Sequence, residues 1–178
     1  MIHFVGAGPG AADLITMRGH QLLTEADVII YAGSLVNPEL LQYAKASCSI
    51  YNSASMTLEE VIDVMKQAEE KNQMTVRLHT GDPSLYGAIR EQMDQLDKDN
   101  IPYDVVPGVS SFCGAAAALK AEYTLPNVSQ SVIITRMAGK TPVPEKEEIA
   151  LLAAHQATMV IFLSTGMLEQ LSQRLLAG

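Results

Sequence analysis

A chain of 178 residues, nearly half of them apolar, is long enough for one well-packed domain or for one domain and part of another, and its composition excludes a disordered chain. A formal net charge of −8 argues against nucleic acid as the main partner, though not against a small anionic ligand met by local basic residues. No basic segment precedes an apolar stretch, and no apolar run approaches the ~20 residues of a membrane span, so a soluble cytoplasmic protein is expected.

The first expected strand, Ile2–Val5, runs into "GAGPGA", Gly6 to Ala11. Its G-x-G-x-x-A spacing fits the dinucleotide fingerprint, and the apolar residues from Leu14 to Leu23 suit an amphipathic helix. The fingerprint also needs an acidic residue after the next strand. Here "DVIIYAGSLV" leaves Asp27–Tyr31 for Ala32, Gly33 and Ser34, with no carboxylate. Pro9 further removes an N–H that a pyrophosphate would use. The glycine loop therefore does not read as a pyrophosphate turn.

Further strands are expected at Ser49–Tyr51, Thr75–His79 and Tyr103–Val106. Helical windows fall near 13–24, 37–45, 57–71, 85–98 and 111–120, with Thr57 and Glu60 forming a capping box. Strands that alternate with helices imply a parallel sheet with right-handed crossovers, whose ligand edge is the set of loops at the strand C-termini. The polar, proline-containing stretch 123–130 reads as a linker between an α/β domain at 1–122 and the start of a second at 131–178. That second part holds strands in "SVIITRM" and "TMVIFLST" and a last helix at Leu168–Leu176. Two strands and two helices are too few to bury their own faces. "AAAALKA" (115–121) is a good helix former whose small residues permit close packing, at a dimer contact for example.

Three loops follow strands and are rich in glycine, proline and hydroxyls: Gly6–Ala11, "HTGDPSLYG" (79–87) and "VPGVSSF" (106–112). The last two are expected at adjacent strand–helix junctions, with free N–H donors at helix starts near Leu85 and Ser111. No G-x-S-x-G elbow is present, and the histidines at 3, 20, 79 and 155 lack H-x-x-x-H spacing. No protein-bound metal is implied and no catalytic residue stands out. His79, at a strand end, is the histidine nearest this chemistry. Cys48 and Cys113 read as buried structural thiols.

"VGAGPGAADLITMRGHQLLTEADVIIY", "GDPSLYG" and "PGVSS", in that order, resemble the tetrapyrrole (corrin/porphyrin) methyltransferase family over the whole chain. "YNSASMTLEEV" and "VIITRMAGKTPVPEKE" are similar to its branch that methylates C11 of precorrin-4 or cobalt-precorrin-4 in cobalamin biosynthesis. The resemblance implies a tetrapyrrole methylase-like α/β fold, a homodimer, and S-adenosylmethionine as methyl donor in a cleft between two α/β domains. It implies donor contacts from Pro9, Thr80, Gly81, Asp82, Leu85, Ser110, Ser111, Leu163 and Ser164. The tetrapyrrole would face Gly8 and Gly10. Its carboxylates call for basic partners, for which Arg18, Arg90, Arg136 and Lys140 are candidates. Family members run on for several more strands, so the second domain is expected to be incomplete at Gly178. Methylation at another ring position, a donor-binding fragment without turnover, and a different nucleotide enzyme of doubly wound fold are the competing readings.

Overall fold

A computed structural model describes residues 1–178, which form two compact units, Met1–Ala115 and Ala116–Gly178. The first unit is built on a five-stranded sheet, parallel throughout, in the order β3-β2-β4-β1-β5. Its strands are β1 (Ile2–Gly6), β2 (Val28–Tyr31), β3 (Ser49–Asn52), β4 (Thr75–His79) and β5 (Tyr103–Val106). Every expected strand is present, with ends moved by at most one residue.

The period-two alternation of the strands sorts their side chains onto two faces. Val5, Ile29, Val76 and Leu78 pack with Leu22 and Leu23 of α1 (Met17–Glu25) and with Leu40. Ile2, Phe4, Val28 and Ile30 pack with Val61, Ile62 and Met65 of α2 (Leu58–Glu70) and with Leu96 of α3 (Arg90–Lys98). Covered on both sides, β2 (VIIY) reads as a continuous apolar run, as a parallel sheet favours, whereas β4 buries Thr75, Arg77 and His79 between its apolar residues. α2 begins at the Thr57–Glu60 capping box, with both reciprocal bonds made.

Two helical expectations are corrected. The window 37–45 is a 3-10 helix, Pro38–Tyr43, entered through Asn37, whose side chain accepts from the Glu39 N–H. α3 begins at Arg90 and not near Leu85. The intervening residues form a turn in which Tyr86 and Ala88 take left-handed backbone, φ 55° and 50°, incompatible with a continuing helix. α4 (Ser111–Leu119) starts where the sequence places it. Cys113 on α4 is exposed and Cys48 half-buried, so the thiols are not both buried.

In the second unit β6 (Val132–Arg136) and β7 (Thr158–Phe162) pair in parallel. α5 (Ile149–Ala153) and α6 (Leu168–Leu176) complete it. Met137, Ile149 and Leu171 form its small core, with Met159, Ile161, Met167 and Leu175 partly buried against them. No helix of the chain is long and apolar enough to cross a membrane.

Candidate functional site

From β1 the chain crosses to β2 on one side of the sheet, and from β4 it crosses to β5 on the other. The C-terminal ends of β1 and β4 therefore flank a topological switch point, where an open α/β sheet leaves a crevice for ligands. β1 lies between β4 and β5, yet the loops after β4 and β5 meet beyond its end, as expected of converging loops. The opening glycine loop touches both.

The three loops are stitched together through their backbones. The Ala7 N–H donates to the His79 carbonyl at 2.7 Å. Gly8 and Gly81 exchange N–H···O bonds of 3.2 and 2.9 Å. The Gly108 N–H donates to Asp82 Oδ2 at 2.9 Å. A Cβ on Gly108 would lie 2.7 Å from the Gly6 Cα and would collide with the Gly81 carbonyl, so this approach admits glycine alone. Pro9 sets its ring against Gly114 of α4, where a Cβ would come within 2.6 Å of it.

Asp82 spends both carboxylate oxygens inside this edge. Oδ1 accepts from the Ser84 N–H at 2.8 Å and from the Ser84 hydroxyl, while Oδ2 accepts from Gly108. Burial pushes its pKa up, but the Ser84 hydroxyl and the two N–H donors outweigh it and hold the carboxyl below its ordinary value. Asp82 is thus a clasp between loops. Leu85 closes the turn by donating its N–H to the Asp82 carbonyl at 3.2 Å. Ser110 is buried, Ser111 is exposed at the start of α4, and a Cβ on Gly81 would be 3.5 Å from both Ser110 Cα and Ser111 N.

Two polar atoms here lack partners: Thr80 Oγ1, beside Gly81, and His79 Nε2. Burial first, then the charge of Arg77, lowers the His79 pKa to about 3, so its imidazole is neutral. Gly10 is exposed, and its carbonyl accepts from Asn37 Nδ2 at 2.8 Å.

The candidate basic residues are dispersed. Arg18 pairs with Asp104 at 2.7 Å, an oxygen pair shared with His3 Nδ1 at 2.6 Å. His3 and Asp104 lie in the first halves of β1 and β5, so Arg18 is drawn away from the loop edge. It lines instead a groove of about 700 Å³ along α1, with Asp13, His20 and Tyr43. Arg90 is exposed and pairs with Asp94 one helical turn on. In the second unit the Arg136 guanidinium donates to the carbonyls of Met137, Thr141 and Pro142 at 3.2, 3.0 and 2.7 Å, closing the loop that carries exposed Lys140. Ser164 is buried. Its hydroxyl accepts from the Met137 N–H at 3.1 Å and donates to the Phe162 carbonyl at 2.7 Å, tying the ends of β6 and β7. Leu163 is exposed in left-handed backbone, φ 54°. Nowhere are three or more His, Cys, Asp or Glu side chains gathered to hold a metal.

The family model of the tetrapyrrole (corrin/porphyrin) methylases matches residues 1–178. The chain belongs to this methylase family. Among tetrapyrrole methylases, the cobalt-precorrin-4 C(11)-methyltransferase of Methanocaldococcus jannaschii is 58% identical over 98% of this chain and 67% of its own length. The precorrin-4 C(11)-methyltransferase of Mycobacterium tuberculosis is 44% identical over 99% of this chain and 71% of its own. The X-ray structure of a cobalt precorrin-4 methyltransferase superposes with a TM-score of 0.96, at 44% identity, over 99% of this chain and 74% of that one. The chain therefore spans roughly two thirds of the length of these relatives, and 63% of the cobalt-precorrin-4 C(11)-methyltransferase of Priestia megaterium, to which it is 47% identical.

Arg77 and Gln92, both buried behind the loop after β4, escaped the sequence reading. An arginine between Val76 and Leu78 in the middle of the strand "TVRLH" is the signal that the sequence offers.

Proposed function

We propose that the chain takes part in S-adenosylmethionine-dependent C-methylation of a corrin precursor, precorrin-4 or cobalt-precorrin-4, at C11. The observation that carries this reading is the stitched edge of three glycine loops at the switch point, in a tetrapyrrole methylase whose relatives bear that activity. An edge of backbone and hydroxyl groups, with the Asp82 carboxylate as its one charge and no cation, suits a donor without phosphate. The unpaired Thr80 hydroxyl beside Gly81 is a buried group that such a ligand would satisfy.

The donor supplies a methyl group already activated on a sulfonium. The residues' task is accordingly geometric: to hold the ring carbon about 3–3.5 Å from that methyl and to exclude water. Thr80, Gly81, Leu85, Ser110 and Ser111 hold the donor, Asp82 keeps their loops in register, and Pro9 shapes the donor side of the opening loop. Gly8 and Gly10 face the tetrapyrrole, and Arg136 and Lys140 are the basic partners offered to its carboxylates. The protein works in the cytoplasm as a homodimer, a reading that rests on the family resemblance.

Calorimetric titration with S-adenosylhomocysteine, followed by transfer of labelled methyl to cobalt-precorrin-4, tests the reading. Stoichiometric binding with label in the ring supports it. Binding of NAD in competition with S-adenosylhomocysteine would move the assignment to a nucleotide enzyme, and binding without transfer to a donor-binding module.

A further inference from the structure

Arg77 sits at the middle of β4, 7% exposed, on the face that packs against α2 and α3. No ion pair neutralises its guanidinium, and burial lowers its pKa only to about 10, so the charge persists. A buried cation without a counter-charge is costly where a leucine would fill the same space. Its hydrogen bonds show what it does instead. Nη1 donates to the Ile30 carbonyl of β2 at 3.2 Å, and Nε donates to Gln92 Oε1 of α3 at 3.1 Å. Gln92, itself 5% exposed, then donates from Nε2 to the Ala88 carbonyl at 3.0 Å. Only one orientation of the Gln92 amide serves both neighbours, and the guanidinium selects it.

The end of this relay is the strained stretch of the loop. Tyr86 and Ala88 both occupy left-handed backbone, and a Cβ on Gly87 would collide with the Pro83 carbonyl. Residues in such conformations persist only where their surroundings over-determine them. Ala88 carries the acceptor that Gln92 holds.

We propose that Arg77 and Gln92 are positioning residues, which lock the strained segment Tyr86–Ala88 to the sheet and so preorganise the loop Thr80–Ile89 for the methyl donor. The inference rests on the reading of this loop as part of the donor site. A loop already held in its binding conformation loses less freedom when the ligand arrives, so the relay acts on affinity without touching the ligand.

Gln92→Glu separates this role from packing. The substituted carboxylate keeps an acceptor for Arg77 but has no N–H for the Ala88 carbonyl. With thermal unfolding as the check on folding, amides of residues 84–91 should exchange about tenfold faster than in the wild type, while those of β1 and α2 keep their rates. The dissociation constant for S-adenosylhomocysteine should rise about fivefold or more. Arg77→Lys, which cannot fork to Ile30 and Gln92 together, should do the same and carries the test if Gln92→Glu does not fold. Wild-type exchange in this loop in both variants would overturn the relay. Failure of the wild type to bind S-adenosylhomocysteine would instead overturn the donor-site reading, and the exchange measurement, which needs no ligand, would still judge the relay.

Discussion

Gly108 donates its backbone N–H to Oδ2 of Asp82 over 2.9 Å, tying the loop after β5 to the loop after β4 across the end of β1. Asp82→Ala should therefore loosen two loops at once, at a cost of about 1.5–3 kcal/mol, as for hydrogen bonds to a charged group. The pH dependence has a definite sign. A carboxyl held below its ordinary 3.8 stabilises the fold above that value, and the contribution disappears as pH falls through the lower, folded-state pKa. Denaturant titrations of wild type and Asp82→Ala should thus converge in strong acid and stand furthest apart near neutrality.

Two glycines of the same edge should respond differently to alanine. At Gly81 the added Cβ meets nothing closer than 3.5 Å, so Gly81→Ala costs only the left-handed backbone at φ 61°, about 1–2 kcal/mol. At Gly108 the methyl would press into the Gly6 and Gly81 backbones, which cannot move aside. Gly108→Ala should cost as much or more, about 1–3 kcal/mol by overpacking, and abolish binding of S-adenosylhomocysteine. Urea unfolding and calorimetry on the pair check both.

His79 predicts a slope in stability. Its folded pKa of about 3 lies below the ordinary 6.5, so between those values the unfolded chain binds the extra proton. Stability from this group is complete above 6.5 and declines as pH falls toward 3, with a slope approaching about 1.4 kcal/mol per pH unit. Unfolding free energies of His79→Gln measured from about pH 7 to pH 4 should show a slope shallower than wild type by about that amount.

Arg136 holds three carbonyls of its own loop, which a lysine ammonium cannot span with the same planar fork. Both Arg136→Ala and Arg136→Lys should expose the segment 137–142 to protease. Both should also raise the apparent KM for the tetrapyrrole, with donor affinity nearly unchanged. Equal weakening of donor and tetrapyrrole would remove Arg136 from the substrate side.

Most of the first unit was legible because burial on both faces leaves apolar runs between turn signals. Thr75–His79 and Tyr103–Val106 end in the structure where the residues place them. The start of α3 was not legible. "LYGAI" carries no signal that marks Tyr86 and Ala88 as left-handed, and the relay that holds the Ala88 carbonyl reaches the sheet only through Arg77, 15 residues before Gln92. The roles of Asp82 and Arg18 were hidden for a related reason: their partners, Gly108 and Asp104, lie 26 and 86 residues away.

What the sequence determined by itself was the alternation of strand and helix, the three glycine loops at strand ends, and the family. Local patterns carry that information, because periodicity, capping and turn chemistry act within a few residues. What only the tertiary structure decided was the strand order that puts β1 between β4 and β5, and the use to which each polar side chain is put. A carboxylate or guanidinium has the same chemistry wherever it stands in the chain. Whether it clasps a loop, as Asp82 does, pairs elsewhere, as Arg18 does, or is buried to steer a neighbour, as Arg77 is, depends on which distant donor or acceptor the folded sheet brings within about 3 Å.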